Sequence, residues 1–216
     1  MFKLYDYFRS SACYRVRIAL NLKELPYEQI SVHLTKDGGH QLQAHYKSIN
    51  PQQLVPALLL IDSNQVITQS LAIIEYLEET FPAVPLLPSE VVARANVRAF
   101  AQVIACDIHP INNLRVLKYL KHHFHVSDEQ KMAWYFNWLT KGFDTLEKLL
   151  EKQHIGPYCF GEAPTLADVC LIPQVYNALR FDYSLEHYPY IRKIHAHANN
   201  HPAFIKALPE NQPDSE

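Results

Sequence analysis

Residues 7–20 read Tyr7-Phe8-Arg9-Ser10-Ser11-Ala12-Cys13-Tyr14-Arg15-Val16-Arg17-Ile18-Ala19-Leu20. Here a short apolar strand gives way to an amphipathic helix, and two hydroxyls and a cysteine stand at the junction. The N-terminus of a helix has unpaired N–H groups and a partial positive charge, so it attracts anions. Three arginines in the same stretch add to that charge. The stretch therefore predicts an anion site that suits a thiolate or a carboxylate.

The residues on either side of this stretch predict a thioredoxin-like domain. Residues 2–7 and 27–33 alternate between apolar and polar and are predicted strands that flank the helix. Because a crossover helix joins them, these strands should be parallel. A short helical or irregular segment, a β-hairpin over residues 57–68 and a helix over residues 71–80 follow. The order βαβ–α–ββα fits a thioredoxin-like domain of about 80 residues.

The second half of the chain has a different pattern. Residues 82–89 contain three prolines and are the predicted linker. Beyond the linker the periodic stretches are helical, and none alternates as a strand would. We therefore predict an α/β thioredoxin-like domain over residues 1–81 and an all-α domain over residues 90–216. Residues 211–216 are polar and are predicted to form a loose tail.

The composition argues against several classes of protein. The chain has 216 residues and is 48% hydrophobic, which is enough for a sizeable core. Its formal net charge of −2 gives no general attraction to nucleic acid or anionic membranes, and no apolar run could span a bilayer. Asp6 and Arg9 interrupt any signal-peptide pattern. The cysteine and histidine spacings suggest no metal site, and reduced thiols indicate a cytoplasmic protein.

The serine pair has two interpretations. Ser10 and Ser11 could simply cap the helix, or one serine caps while the other donates to an anion. A thiol has a pKa of about 8.5, which falls when the sulfur lies at a helix N-terminus beside donors. Cys13 could be that thiol or could pack inward, and an external thiol cofactor fits the same donors.

Two further segments in the first half could bind a ligand. A cis bond between Val55 and Pro56 would expose the Val55 backbone for pairing with a peptide-like ligand, whereas a trans bond would make a simple strand start. Gln69 and Ser70 begin a helix and offer an amide, a hydroxyl and backbone N–H groups, which suit a carboxylate. The competing interpretation of Ser70 is a simple N-cap.

Two features stand out in the helical half. Pro110 interrupts a helical pattern and predicts a kink or break. Polar side chains that could be structural or functional cluster around this break, namely His109, Asn113 and Arg115. Thr165 and Asp168 precede an apolar run with the spacing of a capping box, and we interpret them as structural.

Together these residues resemble the zeta class of the glutathione transferase superfamily, and the resemblance covers essentially the whole chain. The signature of that class is Ser-Ser-Cys-x-aromatic/His-Arg-Val-Arg-Ile-Ala-Leu, which corresponds to residues 10–20. Further matches are Asn50-Pro51, Val55-Pro56, residues 69–79, residues 165–168, Gln174 and Arg180-Phe181. The chain departs from the class at Ala12, where a cysteine is usual. The resemblance therefore implies that the serines, and not a protein thiol, act on the sulfur.

The resemblance implies a homodimeric, glutathione-dependent cis–trans isomerase in tyrosine and phenylalanine catabolism. Its substrate would be a small dicarboxylate, either maleylacetoacetate or maleylpyruvate. The residues implied to bind glutathione are Ser10, Ser11, Val55, Gln69 and Ser70. The implied catalytic residues are Arg9, Ser10, Ser11 and Arg180. The residues implied to bind the substrate are Arg9, His109, Asn113, Arg115 and Arg180. Arg15 and Arg17 are assigned to structure or to surface charge.

Three alternatives use the same residues differently. A transferase that conjugates or dehalogenates small α-halo acids would also need a carboxylate held beside a thiolate. A redox enzyme would use Cys13 as its thiol. A binding module would keep the fold and lose catalysis, since fold alone does not give function. The intact serine pair and the intact Gln69-Ser70 pair argue against the binding module.

Overall fold

The computed structural model describes residues 1–153 and 156–216. The chain forms two compact units. One consists of Met1–Leu86 and Asn199–Glu216, and the other is Leu87–Ala198. The boundary between them falls inside the predicted proline-rich linker. The predicted helical domain is wrong at its end, because the last 18 residues belong to the first unit.

The first unit is built on a four-stranded sheet with the order β2-β1-β3-β4. Its strands are β1 (Phe2–Asp6), β2 (Tyr27–Ser31), β3 (Ala57–Leu60) and β4 (Gln65–Thr68). As predicted, β1 and β2 are parallel, and β3 and β4 form an antiparallel hairpin. The helices of this unit are α1 (Ser11–Leu22), α2 (Ala44–Ile49), α3 (Ser70–Thr80) and α9 (Pro202–Ala207). The predicted βαβ–α–ββα order is confirmed.

The register of the sheet places three loops at the same end. Tyr5 of β1 lies opposite Ala57 of β3, and Ala57 in turn lies opposite Thr68 of β4. The loop that follows β1, the segment that precedes β3 and the segment that follows β4 therefore meet at this end of the sheet. All the glutathione-binding residues implied by the sequence lie on these three segments or at the first position of the helix that follows one of them.

Helix α1 contains two arginines that are almost completely buried. Arg17 donates to both carboxylate oxygens of Asp6, at 2.8 and 2.9 Å, and both side chains are fully buried. Arg17 also donates to the carbonyl oxygen of Phe8 at 2.8 Å and to that of Ala207 at 3.1 Å. Arg15 is 2% exposed. The surface-charge interpretation of Arg15 and Arg17 is therefore wrong, because neither guanidinium reaches the solvent.

The start of the linker is attached to α1 and α3 by a buried ion pair. Lys23 donates to Glu78 at 2.7 Å, and also to the carbonyl oxygens of Phe81 at 2.9 Å and Val84 at 2.7 Å. Glu78 accepts a bond from the Leu86 N–H at 3.0 Å. Polar groups buried in this way stabilise a fold only when they are paired. These bonds fix the path of the chain up to the boundary between the units.

The prediction of a loose tail is wrong, because the end of the chain is hydrogen-bonded to the first unit. Gln212 is buried and donates to the carbonyl oxygens of Lys206 at 2.9 Å and Leu208 at 2.6 Å. Glu216 forms an ion pair with Lys36. Polar residues satisfy backbone and charged partners here, which gives the tail a defined path without an apolar core of its own.

The regular elements of the second unit, within the part that the structure describes, are helical. They are α4 (Val91–Gln102), a π-helical segment (Val103–Ile108), α5 (Leu114–His123), α6 (Asp128–Lys152), α7 (Leu166–Leu179) and α8 (Pro189–Ala198). The all-α prediction for this part is confirmed. The break predicted at Pro110 lies between the π-helical segment and α5. No helix of the described residues is both long enough and apolar enough to cross a membrane.

The predicted capping box at the start of α7 is confirmed. The carboxylate of Asp168 accepts from the Thr165 N–H at 2.8 Å and from the Thr165 hydroxyl at 3.0 Å. It also accepts from the Cys159 N–H at 2.8 Å, and Asp168 is fully buried. Asp168 therefore satisfies two buried backbone donors and the hydroxyl of the cap residue Thr165.

Asp168→Ala is expected to lower the free energy of unfolding by about 3 kcal/mol, because two buried N–H groups lose a charged acceptor. Urea denaturation of the two proteins measures the difference. Asp107→Ala is the control, since Asp107 is exposed and the change there should stay within about 0.5 kcal/mol. A loss of about 1 kcal/mol or less for Asp168→Ala, the usual cost of an ordinary N-cap, would contradict the buried network.

Candidate functional site

The loop after β1 is a tight turn with Phe8 and Arg9 at its centre. The Ser10 N–H donates to the Tyr7 carbonyl at 2.9 Å and closes a four-residue turn, residues 7–10, called here the Phe8–Arg9 turn. Arg17 holds the Phe8 carbonyl at 2.8 Å. Helix α1 begins at Ser11, directly after the turn. The turn therefore fixes both the backbone of Arg9 and the position of the helix N-terminus.

Arg9 is oriented by a residue that the sequence analysis missed. The Nη2 and Nε atoms of Arg9 donate to the Tyr7 hydroxyl at 2.8 and 3.1 Å. The guanidinium lies 4.8 Å from the centre of the Phe8 ring, within the range of a cation–π contact. Tyr7 is buried. A rigid aromatic side chain with a polar tip therefore holds the catalytic candidate Arg9 in one direction.

The two serines have different positions. Ser10 has extended backbone angles, and its hydroxyl accepts from the Cys13 N–H at 3.3 Å, so Ser10 is the N-cap of α1. Ser11 is the first helical residue and is 6% exposed. This arrangement matches the interpretation in which one serine caps the helix. The donation of the Ser11 hydroxyl to an anion stays a prediction.

Cys13 does not fit the redox alternative. It is completely buried, and burial together with the charge of Asp6 raises the pKa of its thiol well above the usual value. A reactive cysteine needs the opposite, a lowered pKa and access to solvent. Cys13 is therefore an uncharged core residue in the first turn of α1.

The bond between Val55 and Pro56 is cis, as in one of the two predicted alternatives. The preceding carbonyl, that of Leu54, accepts two side-chain bonds, from Tyr46 at 2.6 Å and from Asn50 at 2.7 Å. These two bonds fix the chain just before Val55. The backbone of Val55 therefore has a defined position at the end of the sheet where a peptide could pair with it.

The simple N-cap interpretation of Ser70 is wrong. Gln69 occupies the cap position in a left-handed conformation with φ of 71°, and Ser70 is the first residue of α3. The Gln69 amide donates to Gln52 at 2.8 Å, and the buried Ser70 hydroxyl accepts from Arg15 at 3.4 Å. Arg15, which the sequence assigns only to structure or to surface charge, thus adds a cation at the N-terminus of α3.

The end of the sheet therefore combines features that suit an anionic peptide with a thiol. Two helix N-termini, those of α1 and α3, each carry a serine as the first helical residue, Ser11 and Ser70. The cis Val55–Pro56 bond lies on the segment between them in sequence. Helix N-termini favour a thiolate and a carboxylate, and the backbone groups of Val55 suit pairing with a peptide group.

Three substrate-binding candidates lie around the break in the second unit. The ring Nε2 of His109 is 3.5 Å from the side-chain nitrogen of Asn113, and the Asn113 side-chain oxygen accepts from the Arg115 N–H at 3.1 Å. Asn113 is thus the N-cap of α5. Arg115 is exposed on the first turn of that helix. The structure brings His109 and Asn113 together, and Asn113 also has a structural role.

The fourth candidate in this unit, Arg180, is exposed at the end of α7. Its guanidinium lies 5.5 Å from the centre of the Phe181 ring, and that ring is 4.7 Å from the ring of Tyr135. The Tyr135 carbonyl accepts from Asn112 at 3.1 Å. Tyr135, which the sequence analysis missed, therefore contacts both the end of α7 and the segment that precedes α5.

Comparisons with known proteins agree with this architecture. The family model described as "Glutathione S-transferase, N-terminal domain" matches residues 4–85. The model described as "Glutathione S-transferase, C-terminal domain" matches residues 139–199. A curated relative, "Probable maleylacetoacetate isomerase" of Vibrio cholerae, is 52% identical over 98% of this chain and 97% of its own length.

Two solved structures extend the similarity. One is the holo structure of a maleyl pyruvate isomerase described as a bacterial glutathione S-transferase in the zeta class. It is 48% identical, with a TM-score of 0.95 over 99% of this chain and 100% of that chain. The other is a maleylacetoacetate isomerase from Methylobacterium extorquens with bound malonate and GSH, which is 40% identical with a TM-score of 0.94 over 99% of both chains. The chain therefore belongs to the glutathione S-transferase family, and within it to the zeta class.

Proposed function

We propose that this protein is a glutathione-dependent cis–trans isomerase of a small unsaturated dicarboxylate, with maleylacetoacetate as its substrate. The observation that carries the proposal is the end of the sheet, where the N-termini of α1 and α3 and the Val55 backbone offer sites for a thiolate, a carboxylate and a peptide. Relatives named for the isomerisation of maleylacetoacetate support this substrate. Maleylpyruvate is the second candidate, because a 48% identical zeta-class structure is named for it.

The residues present fit glutathione. Gln69 and Ser70 are proposed to hold its γ-glutamyl carboxylate at the N-terminus of α3, where the buried Arg15 adds positive charge. Val55 is proposed to pair with its peptide backbone. Ser11 is proposed to donate to its sulfur, and Ser10 to keep the helix N-terminus in place as the cap. When bound, glutathione supplies a thiolate that adds to the double bond and leaves again after rotation.

Cationic groups are proposed to bind and stabilise the substrate. Arg9 and Arg180 are proposed to hold its carboxylates, since a guanidinium pairs with a carboxylate through two parallel bonds. During the reaction, negative charge develops on the carbonyl that is conjugated with the double bond. Fixed positive charge nearby stabilises it and lowers the activation barrier of isomerisation. Additional contacts with the substrate are proposed for His109, Asn113 and Arg115.

The assembly and cellular role belong to the same proposal. We propose a homodimer that works in the cytoplasm in the catabolism of tyrosine and phenylalanine, as the zeta-class resemblance implies. Light scattering on the purified protein checks the assembly, with an expected mass of twice that of one chain. A mass of one chain would contradict the homodimer.

A parallel assay of the two substrates tests the proposed activity. Purified protein with glutathione is mixed with maleylacetoacetate or with maleylpyruvate, and the trans product is followed against a control without protein. We expect isomerisation of both, with the higher kcat/KM for maleylacetoacetate. Isomerisation of neither substrate would refute the proposal. Turnover of a small α-halo acid well above either isomerisation would favour the transferase alternative instead.

A further inference from the structure

The C-terminal segment, residues 199–216, places a carboxylate against the Phe8–Arg9 turn. One oxygen of Asp214 accepts from the Phe8 N–H at 3.2 Å and from the Ser31 hydroxyl at 3.0 Å. The other accepts from the Gln29 amide at 3.2 Å. Asp214 is half-buried and lies 206 positions from Phe8 in the sequence. Hydrogen bonds to an ionised carboxylate are about twice as strong as bonds between neutral groups.

Phe8 is therefore held on both sides of its Cα atom. Its N–H donates to Asp214, and its carbonyl oxygen accepts from Arg17 at 2.8 Å. Arg17 is attached to the same C-terminal segment through the carbonyl of Ala207 at 3.1 Å. The turn that carries Arg9 is thus fixed by a side chain of α1 and by a side chain near the end of the chain.

Further contacts give Asp214 a defined position. Gln212, two residues earlier, is buried and donates to two carbonyl oxygens of the same segment. The Gln29 amide that binds Asp214 also donates to Asp6 at 2.6 Å, and Asp6 is paired with Arg17. Asp214 is therefore part of a hydrogen-bonded network that reaches the buried ion pair of α1.

We propose that Asp214 is a positioning residue for Arg9 and for the N-terminus of α1, an inference that rests on the proposed function. Phe8 and Arg9 are the two central residues of the turn, and α1 begins two residues after Arg9. A shift of the Phe8 backbone therefore moves the Arg9 guanidinium and the donors at the helix start. Displacements of about 1 Å at a reacting centre reduce rates by up to about a hundredfold.

The first measurement uses the glutathione-free protein, so it does not depend on activity. Hydrogen exchange of the Phe8 amide is followed by NMR in the wild type, in Asp214→Ala and in Asp62→Ala. Asp62 is the control because it is a highly exposed acid near the opposite end of the sheet. We expect the Phe8 amide to exchange about tenfold faster in Asp214→Ala and at the wild-type rate in Asp62→Ala. An unchanged Phe8 rate in Asp214→Ala would overturn the inference.

The second measurement separates positioning from a general effect on stability. We expect Asp214→Ala to lower kcat/KM for isomerisation about tenfold with little change in the thermal midpoint, and Asp214→Glu to recover part of the loss. Faster Phe8 exchange with unchanged kcat/KM would overturn the inference. A loss of kcat/KM in Asp214→Ala that comes with a matching fall in the thermal midpoint, and that Asp214→Glu does not recover, would also overturn the inference.

The two proposals can fail separately. If the wild type isomerises neither maleyl substrate, the proposed function fails. The role of Asp214 is then decided by Phe8 exchange and by the dissociation constant for glutathione, measured by calorimetry. A dissociation constant about fivefold higher in Asp214→Ala, with faster Phe8 exchange, supports positioning of the helix start. Equal dissociation constants in wild type and variant would overturn it.

Discussion

Ser11→Ala is expected to slow isomerisation by more than about tenfold, whereas Cys13→Ala leaves the rate largely unchanged. Ser11 is the first residue of α1, where a hydroxyl donor would add to the attraction that the helix N-terminus has for an anion. Cys13 is completely buried, and its raised pKa keeps the thiol neutral. The two side chains are two positions apart, so the pair of variants separates a donor to an external thiolate from a thiol of the protein.

The rates are measured with glutathione across a range of pH. A donor to a thiolate lowers the pKa of the thiol, so removal of the Ser11 hydroxyl is expected to shift the rising limb of the pH profile to higher pH. Cys13→Ala should keep the wild-type profile. Ser10→Ala serves as a comparison, because Ser10 is the N-cap and its loss should act mainly on stability. Similar rates for Ser11→Ala and Cys13→Ala would refute the assignment.

Arg17→Met is expected to lower the free energy of unfolding by about 3–5 kcal/mol, because it leaves a buried carboxylate without its partner. Arg17 donates to Asp6, to the carbonyl of Phe8 and to the carbonyl of Ala207. Burial already raises the pKa of Asp6, and Arg17 opposes that effect. Without the guanidinium, Asp6 must become neutral or take up water, and the turn loses one of its two supports.

Chemical denaturation of Arg17→Met and of Arg192→Met provides the comparison. Arg192 is exposed on α8, and its replacement should change the free energy of unfolding by no more than about 0.5 kcal/mol. The double variant with Asp6→Asn should lose less than the sum of the two single variants, since the residues contact each other. A loss below about 1 kcal/mol for Arg17→Met would contradict the importance of this pair.

Local patterns in the sequence were enough to predict much of the fold. The period of apolar residues predicted β1, α1 and β2, and the parallel pairing followed from the crossover rule. The capping box at Thr165 and Asp168 was predictable because its partners are three residues apart. Only the register of the folded sheet shows that the segments around Ser11, Val55 and Ser70 meet at one end of it.

Contacts between distant parts of the chain could not be predicted in this way. The polar residues at the end of the chain predicted a loose tail, because nothing near Asp214 in sequence indicates the Phe8 N–H as its partner. Arg15 and Arg17 are buried, although arginines in proteins are usually exposed. Only the fold shows that Arg17 pairs with Asp6. These errors concern the residues that hold the Phe8–Arg9 turn and α1 in position, while the ligand-binding residues stay predictions from their motif.

Gln69 shows a different limit of sequence reasoning. Residues with a positive φ are usually glycine or asparagine, so a glutamine at position 69 gives no indication of this backbone conformation. The predicted cap at Ser70 is therefore one residue too late. The structure moves Ser70 into the helix, where its hydroxyl contacts Arg15 and lies among the first backbone N–H groups of α3.

The proposed function depends most on glutathione acting as a nucleophile that is returned unchanged. NMR can follow the conversion of maleylacetoacetate by the purified protein with glutathione at a small fraction of the substrate concentration, and in parallel with S-methylglutathione. We predict complete conversion to the trans isomer with free glutathione recovered, and no conversion above background with the S-methylated peptide. Conversion at the same rate without a free thiol, or consumption of one glutathione for each product formed, would contradict the account.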